Sequence, residues 1–336
     1  YPDFYQQHLR RDLDLPEQYS HAGDRAGCVQ MRGEYLYVAE GSNGFRVYDI
    51  AGIDNKGISQ RIISAPFSPL GHNARVPSRN ATCMALATTQ PVAPQHNVGD
   101  LMRVENLEQP FHPIYSYAVI TDAEEGLILA DITTFADGEF RNNHLERALT
   151  WNENGILDGA RHVILGGHYA YIATPKALVI LNLDEPLAPK LVKQIALEDV
   201  RASALQFRYL LVSHAGGVSA IDVTLPEQAR LIPDNTIALD QARGIHIARA
   251  YAYVAAGKDG LVIIDMENPE KLSLYQRFTA EGTLQDSHDV IVASTNASAF
   301  AYVADGEGGL KVLQLTSPAS QPNFYGFNPA PVPQLI

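Results

Sequence analysis

The chain has 336 residues, 46% of them hydrophobic, and a formal net charge of −13. That content is ample for a substantial core, and the acidic balance excludes nucleic acid and anionic membrane as partners on bulk electrostatics. No stretch approaches the ~20 consecutive apolar residues of a membrane-crossing helix, so direct membrane insertion is not expected.

Residues 1–26 are polar and mixed, with histidines at His8 and His21, and read as a lead-in segment. The chain begins at Tyr1 without Met or a leader, as a processed chain or a piece of a longer one would. The first strong pattern covers residues 35–49. Tyr35-Leu-Tyr-Val-Ala39 is an aromatic and β-branched run suited to a half-buried strand. Glycines then supply a tight turn, and Phe45-Arg-Val-Tyr-Asp49 follows as a second strand. The closing Asp can accept backbone N–H bonds in an Asx-type turn.

The same pattern returns at 117–131, 169–182, 209–222, 251–265 and 300–314. The copy at 251–265 is the clearest, because Leu261-Val-Ile-Ile264 is a continuous apolar run short enough for a strand buried on both faces. The last four copies start about 40 to 50 residues apart, the spacing of propeller blades. The expected fold is therefore all-β: a β-propeller of four-stranded antiparallel blades, six in number, with a seventh only if residues 1–26 or an insertion hide one. One large domain over 27–327 fits the near end-to-end repeats better than two.

In blade one the inner strand falls at 28–31 and the outermost at about 59–63. Blade two has its inner strand at 81–87, but its second strand starts only at Tyr117. An insertion at about 89–114, with four prolines and the histidines His96 and His112, lies between. Long loops inside a compact fold are often functional. Blade two ends through 141–150. Blades three, four and five run over 161–197, 201–239 and 243–280, and blade six over 288–327. The Pro-rich end, 328–336, reads as an extended tail or linker.

Leu261-Val-Ile-Ile-Asp265 and Leu178-Val-Ile-Leu-Asn182 resemble the LVIVD repeat, over roughly residues 27–327. That resemblance implies an extracytoplasmic (periplasmic, cell-surface or extracellular) β-propeller. The wording of 44–57, Gly-Phe-Arg-Val-Tyr-Asp-Ile-Ala-Gly-Ile-Asp-Asn-Lys-Gly, followed by Ala65-Pro-Phe-Ser-Pro-Leu-Gly71, resembles a subgroup found in large multihaem c-type cytochrome proteins. It implies a protein partner or sibling domain of cytochrome type. No CxxCH or other metal-ligand spacing occurs, so no cofactor is expected in this segment; haem c would sit on a partner or on the rest of a longer chain.

Cys28 and Cys83 both fall where an inner strand begins, in adjacent blades. A disulfide and two buried thiols both remain open. Aligning the blades on their Tyr places Arg161, Arg201 and Arg243 eight residues before it, with His162 and His288 beside them. This basic set, with Asp289 and Arg79 nearby, is expected at one channel mouth. It suits a carboxylate, another anion or a partner group, because arginine offers a planar bidentate fork. Pairing with acids of the neighbouring blade is the plainer reading. Asp49, Asp131, Asp222 and Asp265 recur in register and are expected to cap turns. The acidic turns at 122–126 and 305–309 offer oxygens to calcium but lack its full ligand series, and read as solvated hairpin tips. His72, His96 and His112, in and near the insertion, are the candidates for a partner or metal contact.

With no catalytic motif and nearly uniform blades, the expected function is a non-catalytic scaffold and protein-interaction module in an extracellular multihaem electron-transfer assembly. The alternatives are an enzyme with a channel-mouth site for a small anionic substrate, or a non-haem subunit of a larger redox enzyme.

Overall fold

The computed structural model describes residues 25–50, 73–88, 112–137, 143–295, 298–319 and 329–336. The chain forms six four-stranded antiparallel sheets, each built from strands consecutive in sequence. Blade one contains β1 (Cys28–Arg32), β2 (Tyr35–Ala39), β3 (Phe45–Asp49) and β4 (Arg75–Val76). Blade two contains β5 (Ala81–Leu86), β6 (Tyr117–Asp122), β7 (Gly126–Asp131) and β8 (Glu146–Trp151). Blade three contains β9 (His162–Gly166), β10 (Tyr169–Ala173), β11 (Ala177–Asn182) and β12 (Lys190–Ala196). Blade four contains β13 (Ala202–Gln206), β14 (Tyr209–His214), β15 (Gly217–Asp222) and β16 (Arg230–Ala238). Blade five contains β17 (Ile245–Ala248), β18 (Tyr251–Ala255), β19 (Leu261–Asp265) and β20 (Ser273–Phe278). Blade six contains β21 (Asp289–Ser294), β22 (Ala299–Ala304), β23 (Leu310–Thr316) and β24 (Gln334–Leu335).

The chain divides into two compact units, one within Tyr1–Ile172 and Leu181–Leu191, the other within Ala173–Ile180 and Val192–Ile336. In the first, the facing surfaces of blades one and two share a core. Tyr37, Ala39, Phe45 and Val47 meet Met84, Leu86, Ile120 and Ile128 there. Across the same boundary Cys28 and Cys83 are joined as a disulfide, with Cα atoms 4.7 Å apart, which selects one of the two readings left open by the sequence.

The second unit explains the continuous apolar run of the repeat. Val254, Val262 and Ile264 pack with Leu211, Val218 and Ala220 of blade four. Tyr253, Leu261 and Ile263 pack instead with Val290, Val303 and Leu313 of blade six. Successive side chains point to opposite faces of a strand, and each face meets a different blade. The repeat glycines answer the outer strand. Gly217 has φ +125° and a Cβ there would lie 2.0 Å from the Ile237 carbonyl oxygen; at Gly260 (φ +67°) the corresponding distance to Phe278 O is 2.5 Å. Only glycine permits both the positive φ and that approach.

Two expectations are corrected. The outer position of blade one is held by Arg75–Val76, paired with Phe45 and Arg46, whereas the expected strand at 59–63 lies outside the described residues. The Pro-rich end is more than a tail, since Gln334 and Leu335 pair with Gln314 and Leu313 and complete blade six. Both outer strands are two residues long, too short to carry a visible alternation.

Candidate functional site

One hydrogen bond recurs at the Tyr-bearing end of the blades. The residue just past the third strand donates its N–H to the carbonyl of the residue just before the second strand: Ile132 to Ser116, Leu183 to His168, Val223 to Arg208 and Met266 to Ala250, all at 2.8 Å. A second recurrent bond is the Asx turn. The side-chain oxygen of Asp131, Asn182, Asp222 and Asp265 accepts the amide two residues on, at 2.7–3.0 Å. The expected capping role thus holds for three of the four aspartates; the Asp49 side chain is outside the described set.

In blade three these two bonds bring His168 and Asp184 together. His168 follows Gly167, which takes φ +62° in the turn between β9 and β10. Asp184 is the residue whose amide Asn182 caps. The third member comes from blade two. His112 is the N-cap of a short 3-10 turn, Pro113–Ser116, that leads into β6, and its Nδ1 accepts the Ile114 N–H at 3.1 Å. Arg32 steadies this turn by donating to the Tyr115 carbonyl at 3.1 Å, with its guanidinium 5.6 Å from the Tyr115 ring centroid.

His112 is fully buried and its Nε2 lies 3.1 Å from Asp184 Oδ1. Because Nδ1 is an acceptor, Nε2 carries the proton and donates to the carboxylate. The His112 and His168 rings are parallel, with centroids 5.6 Å apart, and Tyr169 flanks His168 at 4.4 Å. One ligand atom from each of His112, His168 and Asp184 lies within 4.8 Å of the others. Of the three histidines singled out in the sequence, His112 enters this cluster; His72 and His96 lie outside the described residues. His168 and Asp184 escaped sequence reasoning. The available signal was the acidic Leu183-Asp-Glu-Pro186 stretch that follows the third strand of blade three.

The arginines expected at a channel mouth are held by the fold around them. Arg201 pairs with Asp199 at 2.7 Å and donates to the Ala242 carbonyl at 2.7 Å. Arg243 pairs with Asp286 at 2.7 Å, and His288 lies 2.9 Å from the other oxygen of the same carboxylate. His288 and Arg243 together hold the Asp286 carboxyl below its ordinary range. Arg161 stands half-buried just ahead of β9. His162, the first residue of β9, has an Nδ1 that is out of solvent and without a hydrogen-bond partner. Burial pushes its pKa down to about 4, so it is neutral at pH 7. Asp289 shows the opposite response: desolvation raises its carboxyl above the ordinary value.

At the two acidic turns, Glu124 and residues 306–309 are exposed, as expected of hairpin tips, whereas the leading aspartates Asp122 and Asp305 are buried. Asp122 accepts the amides of Asn80, Glu124 and Glu125 at 2.6–2.9 Å. Asp305 accepts the amides of Gln285 and Asp286 and the Ser287 hydroxyl at 3.0–3.1 Å. Each clasps the loop that arrives from the preceding blade. A buried His–Ser contact, His214 Nε2 to Ser219 Oγ at 2.8 Å, resembles a nucleophile pair only in composition. Gly216 N–H donates to His214 Nδ1 at 3.2 Å, so Nε2 holds the proton and cannot take one from the serine.

Comparison with known proteins agrees with this architecture. The LVIVD repeat matches residues 23–59, 159–196, 241–280 and 291–327. No curated protein matches the chain. Among solved structures, a functionally unknown protein from Desulfotomaculum acetoxidans is 12% identical, with a TM-score of 0.55 over 84% of this chain and 76% of that one. The β-propeller domain of Swd1 from Myceliophteria thermophila is 13% identical, with a TM-score of 0.52 over 93% and 86%. The WD40 repeats of RRP9 are 12% identical, with a TM-score of 0.56 over 95% and 81%. At these identities the likeness concerns fold alone. The chain is a β-propeller of six four-stranded blades in which four segments match the LVIVD repeat.

Proposed function

We propose that this propeller is a non-catalytic scaffold that binds a protein partner, in an extracytoplasmic assembly whose other member is a multihaem cytochrome. The observation that carries the scaffold reading is how its polar groups are used. Arg201, Arg243, Asp122, Asp131, Asp222, Asp265 and Asp305 are each engaged by backbone or side-chain groups of the fold. They repeat from blade to blade in structural roles, whereas a reaction centre gathers unlike groups at one point. The Cys28–Cys83 disulfide supports an oxidising compartment, where such bonds form and persist. The cytochrome partner is supported by the sequence resemblance of residues 44–57 and 65–71. The enzyme alternative has less support, since two of its three arginines already hold carboxylates or carbonyls.

The test is cross-linking in the native extracytoplasmic fraction, followed by mass spectrometry of the linked peptides. The reading predicts links from exposed residues of this chain to one recurrent haem-bearing polypeptide, or to haem-bearing sequence continuous with this chain. A chain recovered only from the cytoplasm, with thiols reduced and no recurrent link, would contradict it.

A further inference from the structure

The side chains that meet at the end of blade three have a chemistry that the scaffold reading does not use. We propose that His112, His168 and Asp184 form a binding site for a divalent transition-metal ion of the zinc class. Two imidazoles and a carboxylate are a donor set that such a borderline ion takes, leaving a fourth position for water or a partner's group. Calcium and magnesium are poorer fits, because they prefer shells composed of oxygen.

The geometry is close to what coordination needs. The 3.1 Å between His112 Nε2 and Asp184 Oδ1 compares with the ~3.3 Å edge of a tetrahedron whose ligands stand about 2.0–2.1 Å from the ion. The three residues sit on separate segments, and backbone hydrogen bonds fix each one: Ile114 N–H to His112, Leu183 N–H to the His168 carbonyl, and the Asp184 N–H to Asn182. Such placement lowers the ordering cost of binding. The His112 side chain is fully buried while that of Asp184 is 32% exposed, so the ion would have a dry floor and an entry route past the carboxylate.

Binding must move a proton. Coordination by His112 needs the Nε2 lone pair, and in the metal-free protein that nitrogen carries the hydrogen. The proton leaves Nε2 and Nδ1 gains one, so the imidazole stays neutral. Nδ1 then ceases to be an acceptor, and the Ile114 amide loses its cap. Metal loading is thereby coupled to the Pro113–Ser116 turn through which the chain enters β6.

The experiment uses the full chain without an affinity tag, stripped by chelator, and titrated with Zn²⁺ by calorimetry and with Co²⁺ by visible absorption. The expected result is one ion per chain, tetrahedral Co²⁺ bands, and affinity lowered roughly tenfold or more by His168→Ala and by Asp184→Asn. Both positions are partly exposed, so the variants should keep the wild-type circular dichroism and melting point. Hydrogen exchange at the Ile114 amide should quicken on loading. Wild-type affinity no tighter than that of either variant would overturn the proposal, as would an Ile114 amide that stays protected in the loaded protein.

Discussion

Replacing both Cys28 and Cys83 with alanine removes the one covalent tie found between blades among the described residues. The bond joins positions 55 residues apart. In the chain-entropy treatment, closing a loop of that length removes about 14 cal/mol/K from the unfolded ensemble, or about 4 kcal/mol at 25 °C. Globular chains unfold with about 2.1 cal/mol/K per residue, which for 336 residues is about 0.7 kcal/mol per kelvin. The double variant should therefore melt about 6 °C below the oxidised wild type, and the reduced wild type should fall by a similar amount. Differential scanning calorimetry with and without a phosphine reductant measures this, alongside a thiol count on the unfolded, unreduced protein. Two reactive thiols in that count, or a melting point indifferent to reductant, would refute the reasoning.

Acid should weaken the fold before its carboxylates titrate. The folded pKa of His162 is about 4 against about 6.5 when unfolded. Between those values the unfolded state binds more protons, so stability present above pH 6.5 is lost as the pH falls toward 4, by about 3 kcal/mol. His214 and His246 are shifted down by burial and act in the same sense. Denaturant titrations at pH 7 and pH 4.5 should show the loss, and His162→Gln should flatten it; an equal slope in the variant would count against this assignment. Asn235 is a buried clasp in the second unit, donating to the Pro269 carbonyl and accepting the Leu272 amide at 2.8 and 2.7 Å. Asn235→Ala leaves both groups unpaired and should cost about 2–3 kcal/mol, read from the urea midpoint. A change below about 0.5 kcal/mol would mean that water replaces the side chain at no cost.

Much of the fold was legible because the repeat writes it six times. The strands from Tyr35, Tyr117, Tyr169, Tyr209 and Tyr251 begin where the sequence pattern placed them, since a strand buried on both faces tolerates little but apolar side chains. The aspartates at 131, 222 and 265 were legible as caps for the same reason of repetition. Outer strands were harder. Arg75–Val76 and Gln334–Leu335 are each two residues long, too short for their composition to demand a strand, even though Val76 is buried in the core. The exposed tips of the acidic turns were legible, but the burial of Asp122 and Asp305 was not, because amides they accept belong to Asn80 and Gln285, distant in sequence. The His112 cluster escaped on similar grounds. His112 and Asp184 are 72 residues apart, and only the packing of blade two against blade three brings them together.

The most direct test of the scaffold account is an absorption spectrum of the protein purified gently from its source, with intact mass measured on the same sample. The account predicts a Soret band that tracks this chain through successive columns. The mass would then show whether the haem lies on a separate subunit or on a longer polypeptide continuous with this one. A haem-free preparation at the 36.7 kDa of this sequence, with no second polypeptide, would contradict it.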